Sequence, residues 1–193
     1  MKFIENNLYH IYNQGNNQET IFKNRGNYLR FLQKFRFLIS PNCDVLAYCL
    51  MPNHFHFVIR AINKSVEPVQ LGTVKSNKLS NGFRLLLSEY ANEFNKINNR
   101  TGSLFRQKTK SKDLTDESDE GYPLICFDYV HQNASTAGLT NDWEFSSYLD
   151  YIEKRNGTLC NKKLAFDLLG IGREYFDIKH LSKIDESMIK KIM

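Results

Sequence analysis

The stretch Met51-Pro52-Asn53-His54-Phe55-His56-Phe57-Val58-Ile59 decides how the fold of this chain is interpreted. Its Pro-Asn dipeptide favours a tight turn, and the aromatic and aliphatic run that follows is typical of a β-strand. Successive side chains of a strand point to opposite faces, so His54 and His56 share one face while the phenylalanines pack on the other. The sequence therefore predicts a strand that presents two imidazoles together.

Two neutral imidazoles can form one edge of a divalent-metal site. Such a site also needs a third protein ligand from elsewhere in the chain and open positions for substrate oxygens. The alternative interpretation is that His54 and His56 are structural, because short motifs of this kind often occur without a metal. Other features of the sequence must decide between the two interpretations.

Composition indicates a globular chain with a substantial core. The chain has 193 residues, of which 41% are hydrophobic and 13% aromatic, and we expect it to fold as one domain with an extension. We place a catalytic domain at residues 1–150 and a C-terminal helical extension at 151–193. The sequence has no apolar run that could span a bilayer and no signal-peptide pattern at its start. These features predict a cytoplasmic protein that does not bind a membrane.

The charges are unevenly distributed along the chain. Residues 1–110 hold sixteen Lys and Arg against six Asp and Glu, whereas residues 111–193 hold ten against fifteen. The basic part contains the histidine pair, and a positive field attracts polyanions, so nucleic acid is the favoured partner. The alternative is an ordinary solvated lysine surface.

The four cysteines form no Cys-x-x-Cys pair and are predicted to be reduced, mostly buried thiols.

Hydrophobic periodicity predicts six elements in the first 110 residues. They are a strand at 8–14, a helix at 28–39, strands at 44–50 and 54–61, a helix at 77–98 and a strand at 103–110, with a loop at 66–76. This order is that of a ferredoxin-like split βαβ sandwich, an α+β fold in which an antiparallel sheet carries helices on one face. The other face of the sheet is then available as a working surface.

The last of these predicted strands is basic. Period two places Arg106, Lys108 and Lys110 on one face of it. Side chains of this kind contact DNA phosphates and position the nucleic acid without reading its sequence. We therefore predict a DNA-binding face at these three residues.

A helix predicted at 122–136 can complete the metal site. Tyr129 and Asn133 lie one turn apart on one stripe of this helix. If the stripe faces the histidine strand, the side-chain oxygen of Asn133 can be the third ligand and Tyr129 can point at a phosphodiester bound there. The alternative is a structural Tyr at the helix–sheet junction and an Asn near a helix end.

After this helix we predict an aromatic loop at 142–148 that packs onto the body, and one or two short helices in 161–193.

Four blocks of the sequence, taken in order, resemble the REP-associated tyrosine transposases, the single-domain branch of the HUH single-strand DNA transposases. The blocks are Tyr9-His10-Ile11-Tyr12-Asn13-Gln14-Gly15, Tyr48-Cys49-Leu50-Met51-Pro52-Asn53-His54-Phe55-His56, Gly102-Ser103-Leu104-Phe105-Arg106-Gln107-Lys108, and Tyr129-Val130-His131-Gln132-Asn133 followed by Ala137-Gly138-Leu139. The segment from Trp143 to Tyr148 is similar to a Trp…Ser-Ser-Tyr block of the family. One departure is Ala134, where family members usually have Pro. A proline there would end the helix, so Ala134 lets the helix continue and leaves the functional side chains unchanged.

The resemblance implies a metal-dependent DNA transposase, or strand transferase, that cleaves single-stranded or hairpin DNA through a 5′-phosphotyrosine intermediate. It implies that His54 and His56 bind the metal with Asn133 as third ligand, and that Tyr129 is the nucleophile. The ion would be Mg²⁺ or Mn²⁺, which suit an oxygen-rich site completed by phosphate and water. The protein would act as a monomer or a homodimer. Tyr122 is a weaker candidate nucleophile.

The sequence also allows two other functions. One is a DNA-binding regulator of the same fold without transposition activity. The other is a metal-dependent phosphodiesterase in which water attacks and Tyr129 only orients it. A covalent protein–DNA adduct separates strand transfer from both. His131 lies off the Tyr129–Asn133 stripe, and we interpret it as structural or DNA-facing.

Overall fold

The computed structural model describes residues 1–115, 122–140, 142–179 and 184–192. Its helices and strands are β1 (Leu8–Gln14), α1 (Arg25–Leu38), β2 (Cys43–Met51), β3 (His54–Ala61), α2 (Asn63–Val66), β4 (Pro68–Leu71), β5 (Val74–Asn77), α3 (Lys78–Ile97), β6 (Lys110–Asp113), α4 (Tyr122–Thr136), α5 (Tyr148–Tyr151), α6 (Lys162–Leu169), α7 (Tyr175–Lys179) and α8 (Glu186–Ile192). Among the described residues, no helix is both long and apolar enough to cross a lipid bilayer.

Four strands form one antiparallel sheet in the order β2-β3-β1-β6. The tight turn at residues 52–53 joins β2 to β3, and the register pairs Met51 with His54. The centre of the sheet is β1 and β3, whose pairing runs from Leu8 with Arg60 to Gln14 with His54. The mixed α+β architecture predicted from the sequence is confirmed.

The two faces of the sheet are buried by different helices. On one face α1 and α3 cover a core that includes Ile11, Phe55 and Phe57. On the other face α4 and the C-terminal helices cover a second core that includes Cys49 and Val58. This division follows from the alternation of side chains along each strand, which sends neighbouring residues to opposite faces. The sheet face that carries the histidine pair is therefore partly covered by α4.

Two predictions between residues 66 and 110 are wrong. The predicted loop at 66–76 contains a small hairpin, in which β4 and β5 are joined through Gly72 at φ +59°. The predicted strand at 103–110 is an irregular segment with a single bridge between Gly15 and Phe105. Lys108 has a φ of 62°, which interrupts an extended chain. The regular strand begins only at Lys110.

The C-terminal part contains three described helices, where one or two were predicted. Most of the acidic run of residues 113–120 lies outside the described residues. The loop at 142–148 packs onto β2 as predicted, because the indole nitrogen of Trp143 donates to the Leu50 carbonyl at 2.8 Å. All four cysteines are free thiols, and three of them are buried.

Candidate functional site

The histidine pair lies on one face of β3, as the period-two pattern predicts. The ring centroids of His54 and His56 are 5.1 Å apart and the ring planes are nearly perpendicular, at 84°. The side chain of His56 is buried, with 2% of the residue exposed, whereas His54 is half-buried. Burial lowers the pKa of His56 well below its ordinary value, and His10 and His54 act in the same direction. Burial also lowers the pKa of His54.

Both nitrogens of His54 have oxygen neighbours. Its Nδ1 lies 2.6 Å from Oδ1 of Asn53 in the turn, and its Nε2 lies 3.0 Å from Oδ1 of Asn133. Asn133 belongs to α4, which packs across β2 and β3 and carries this buried side chain to the histidine strand. The structure thus brings together three side chains predicted to bind a metal, from positions as far apart as residues 54 and 133.

Tyr129 lies one helical turn before Asn133, and its side chain also faces the histidine pair. Its ring centroid is 5.4 Å from that of His56, at an interplanar angle of 85°. Burial raises the pKa of Tyr129 above its ordinary value, while a hydrogen bond with the side chain of Asn133 acts in the opposite direction. The phenol is therefore protonated at neutral pH, and any attack by its oxygen requires that the proton be passed on.

A cavity of about 200 Å³ opens at this point. Its lining residues are Tyr12, Asn13, Gln14, His54, His56, Arg106, Gln107, Lys108, Lys110 and Tyr129. None of these described lining residues is an Asp or Glu, and three carry a positive charge. A basic cavity of this kind is suited to an anionic ligand such as a phosphodiester. Arg106, Lys108 and Lys110 reach it even though the strand predicted to carry them is irregular.

The donor set can be tested against a divalent metal. In the described part of the chain, no cluster of three His, Cys, Asp or Glu side chains is arranged to hold a metal ion. A metal bound here would therefore also need amide, water or phosphate oxygens as ligands. The 3.0 Å between Nε2 of His54 and Oδ1 of Asn133 equals the separation of about 3.0 Å expected for adjacent ligands at about 2.1 Å in an octahedral shell. The spacing of these two atoms is compatible with neighbouring ligands of a Mg²⁺ or Mn²⁺ ion.

The structure separates the two tyrosines that the sequence left in competition and adds a third. Tyr129 lines the cavity and Tyr122 does not; the Tyr122 ring lies 5.8 Å from the ammonium of Lys191. Tyr12 of β1 does line the cavity, and its ring stacks on His56 at 5.8 Å. Sequence reasoning did not consider Tyr12, although its position two residues after His10 on β1 places both on one strand face.

His131 has a structural environment. It is 8% exposed, its Nε2 lies 2.8 Å from the Ser147 hydroxyl, and its ring is 4.4 Å from that of Phe127. Burial lowers the pKa of His131 to about 3. A neutral, buried imidazole that joins α4 to the loop after it favours the structural interpretation of the two.

Comparisons with known proteins give a fold likeness. No family model matches the chain, and no curated protein matches it. Among solved structures, a REP-associated tyrosine transposase bound to a REP hairpin aligns over 80% of this chain and 84% of its own, with a TM-score of 0.52 and 15% sequence identity. A likeness at this identity concerns the fold, and the site must be judged on its own geometry.

Proposed function

We propose that the protein is a metal-dependent DNA transposase, or strand transferase, which cleaves single-stranded or hairpin DNA through a 5′-phosphotyrosine intermediate. The observation that carries the proposal is the convergence of His54, His56 and Tyr129 on one basic cavity, with Oδ1 of Asn133 3.0 Å from Nε2 of His54. A phenol beside a site suited to a divalent metal fits phosphoryl transfer better than binding alone. The solved transposase of similar fold is itself bound to a hairpin, which agrees with the proposed substrate.

In the proposed reaction the oxygen of Tyr129 attacks a phosphorus atom of the DNA. The bond between phosphorus and the 3′ oxygen breaks, that oxygen takes up a proton, and the phenolic proton is lost. The protein is then linked to the 5′ phosphate of one fragment, and the other fragment ends in a 3′-hydroxyl. Attack by a 3′-hydroxyl on the linkage reverses these steps and joins DNA.

Each group at the site has a defined task in this proposal. A Mg²⁺ or Mn²⁺ held by His54, His56 and Asn133 would polarise a non-bridging phosphate oxygen and offset the charge that develops during attack. Arg106, Lys108 and Lys110 hold the neighbouring phosphates by charge. The raised pKa of Tyr129 makes the passage of its proton part of the reaction.

The fold supports a finer assignment as well. We infer a ferredoxin-like core, because β1, α1, β2, β3, α3 and β6 follow the order strand-helix-strand-strand-helix-strand. The antiparallel sheet order β2-β3-β1-β6 agrees with it. The small hairpin of β4 and β5 is an insertion before α3. A cytoplasmic protein that acts as a monomer or homodimer remains our expectation, and light scattering during gel filtration measures the assembly state.

The proposed activity is tested with hairpin oligonucleotides flanked by randomised single strands. One pool carries a dye at the 3′ end and the other at the 5′ end, and each is incubated with the protein and Mn²⁺, with Mg²⁺, or with EDTA. A 5′-phosphotyrosine linkage retains the 3′ label on the protein in a denaturing gel and releases the 5′ label as a shorter fragment. Cleavage without a conjugate would instead indicate the phosphodiesterase. Binding without cleavage in any metal would indicate the DNA-binding regulator.

A further inference from the structure

A third histidine lies directly behind the histidine pair. His10 is on β1 and is fully buried, with 0% of its surface exposed. Its Nε2 lies 2.8 Å from Nδ1 of His56, and the two rings stack with centroids 5.0 Å apart and planes 22° from parallel. His10 does not line the cavity. Its ring lies 4.7 Å from that of Tyr12 and 6.1 Å from that of Tyr129, and its hydrogen bond is made with His56, a predicted metal ligand.

The position of His10 is fixed by strand pairing. The β1–β3 register places His10 opposite Val58 and Tyr12 opposite His56. His10 and His56 are therefore diagonal neighbours on the same face of two central strands, close enough for their rings to meet. A contact built on central strands has little freedom to vary, which suits a group that orients another.

We propose that His10 is a positioning residue that fixes the tautomer and direction of His56, so that Nε2 of His56 is the nitrogen that binds metal. This inference rests on the proposed function and names a part of the same site. His56 and His10 share one hydrogen bond with one proton. If the proton is on Nδ1 of His56, Nε2 of His56 has a lone pair for a metal. If the proton is on Nε2 of His10, His56 in its neutral form carries its proton on Nε2 and cannot bind through it.

The required state makes His10 an acceptor at Nε2, with its own proton on Nδ1. Histidines that bind metals usually donate their other ring N–H to an acceptor, and removing that acceptor typically weakens metal binding 10- to 100-fold. In most such sites the acceptor is a carboxylate or a carbonyl. Here the acceptor is a second imidazole, which supplies a lone pair without placing a negative charge in a buried position.

Two substitutions separate the acceptor from the ring. His10→Phe keeps an aromatic ring for stacking but has no acceptor, whereas His10→Gln gives up the ring and offers its side-chain carbonyl oxygen close to the position of Nε2. Binding of Mn²⁺ without DNA is followed by the electron paramagnetic resonance signal of the free ion. We expect His10→Phe to weaken Mn²⁺ binding about 10- to 100-fold, and His10→Gln to remain clearly closer to the wild type. Thermal unfolding in EDTA shows whether each variant folds.

A control variant distinguishes failure of this inference from failure of the proposed metal site. If His54→Ala binds Mn²⁺ as well as the wild type, or the wild type binds none, the metal site itself is refuted. If His54→Ala loses binding while His10→Phe binds like the wild type, only the role of His10 is refuted. Equal losses in His10→Phe and His10→Gln would also overturn it, because they would show that the imidazole itself, and not an acceptor, is required.

A measurement on the wild-type protein needs no variant to fold. Nitrogen-15 NMR of the imidazole rings, recorded with Mg²⁺ bound, reports which nitrogen of each histidine carries its proton. We expect the proton on Nδ1 of His56 and an unprotonated Nε2 in His10. The reverse assignment would overturn the inference.

Discussion

At the scale of single residues, Tyr129 is the side chain on which the proposed chemistry depends. Replacement of Tyr129 by Phe removes one hydroxyl and leaves the ring beside His56 in place. We expect Tyr129→Phe to abolish the covalent adduct while the free energy of unfolding and the affinity for hairpin DNA change little. The denaturing gel with 3′-labelled DNA measures the first, and fluorescence anisotropy measures the affinity.

Tyr12 supplies the matched control, because it is a second phenol on the same cavity. Tyr12→Phe should retain the adduct, since this ring stacks on His56 from β1 and does not belong to the helix that carries Asn133. An adduct that persists in Tyr129→Phe and disappears in Tyr12→Phe would reassign the nucleophile to Tyr12.

Asn133 allows a test of the amide ligand. Asn133→Asp keeps an oxygen at this position and adds a negative charge, so Mn²⁺ should bind at least as tightly as in the wild type. Asn133→Leu has a similar volume and no ligand oxygen, and we expect Mn²⁺ binding to weaken by at least tenfold. Isothermal titration calorimetry with Mn²⁺ measures the affinity of the two variants for the metal. Equal affinities in both would show that the oxygen of Asn133 is not a ligand.

Much of this site follows from periodicity, and the rest depends on contacts that periodicity does not contain. The shared direction of His54 and His56, and of Tyr129 and Asn133, comes from the repeat of a strand and of a helix. That α4 packs across the histidine strand could only be stated as a condition. The contact of His10 with His56 depends on how β1 and β3 are paired, and two strands 40 residues apart in sequence carry no local signal of their register.

At the scale of elements, the segment from 103 to 109 is not the regular strand that was predicted, but its basic residues still lie close together as predicted. A left-handed Lys108 breaks the strand, yet Arg106, Lys108 and Lys110 still line one cavity. The segment is held to the sheet by the side chain of Asn13, which donates to the Arg106 carbonyl at 3.2 Å and to Thr109 at 3.0 Å. These contacts bring the basic side chains to the cavity without a regular strand.

We expect these cations to contribute a salt-dependent, sequence-independent share of DNA binding. In an Arg106→Ala, Lys108→Ala variant, the slope of log K against log[salt] should fall by about 0.7 for each charge on a single strand, and by about 0.9 on a duplex stem. A Lys64→Ala, Lys75→Ala variant is the control, because both lysines lie away from the cavity. A slope that is the same in both double variants would show that residues 106 and 108 do not contact phosphates.

The helices α1 and α3 are joined by ion pairs whose contribution depends on pH. The guanidinium of Arg30 hydrogen-bonds Glu93 at 2.9 Å and lowers the pKa of that carboxyl from 4.5 to about 2. A carboxyl with a lowered folded-state pKa stabilises the protein above its unfolded-state value, and this stabilisation is lost as the pH falls from about 4.5 towards 2. Because the side chain of Glu93 is 36% exposed, solvent screening limits the contribution to about 1 kcal/mol or less.

Glu93→Gln should therefore lower the free energy of unfolding at pH 7 and differ little from the wild type near pH 2. Urea unfolding at both pH values measures the difference. The control is Glu153→Gln, which removes a 69% exposed carboxylate that lies 3.6 Å from Arg173, and it should have little effect at either pH. A penalty for Glu93→Gln that is as large at low pH as at pH 7 would contradict the ion-pair explanation.

At the scale of the whole molecule, the candidate site depends on helices distant from it in sequence. The second core joins the sheet to α4 and also contains Tyr151, Ala165 and Phe176 from the C-terminal part. The hydroxyl of Tyr151 donates to the Leu46 carbonyl of β2. The sequence suggested an extension after residue 150. In the structure, residues between 151 and 176 pack on the same core as α4. They therefore help to support the helix that carries Tyr129 and Asn133.

Phe176 allows a direct test of how much the C-terminal residues stabilise the second core. It is 4% exposed and its ring lies 5.4 Å from Tyr151 and 6.2 Å from Phe127 of α4. Phe176→Ala removes a buried aromatic ring from between these partners, so we expect the free energy of unfolding to fall by about 3–5 kcal/mol. Leu168→Ala is the control, since Leu168 is 41% exposed and should cost about 0.5 kcal/mol or less. Urea unfolding followed by fluorescence compares them. A small, equal effect of both would show that α7 lies on the second core without stabilising it.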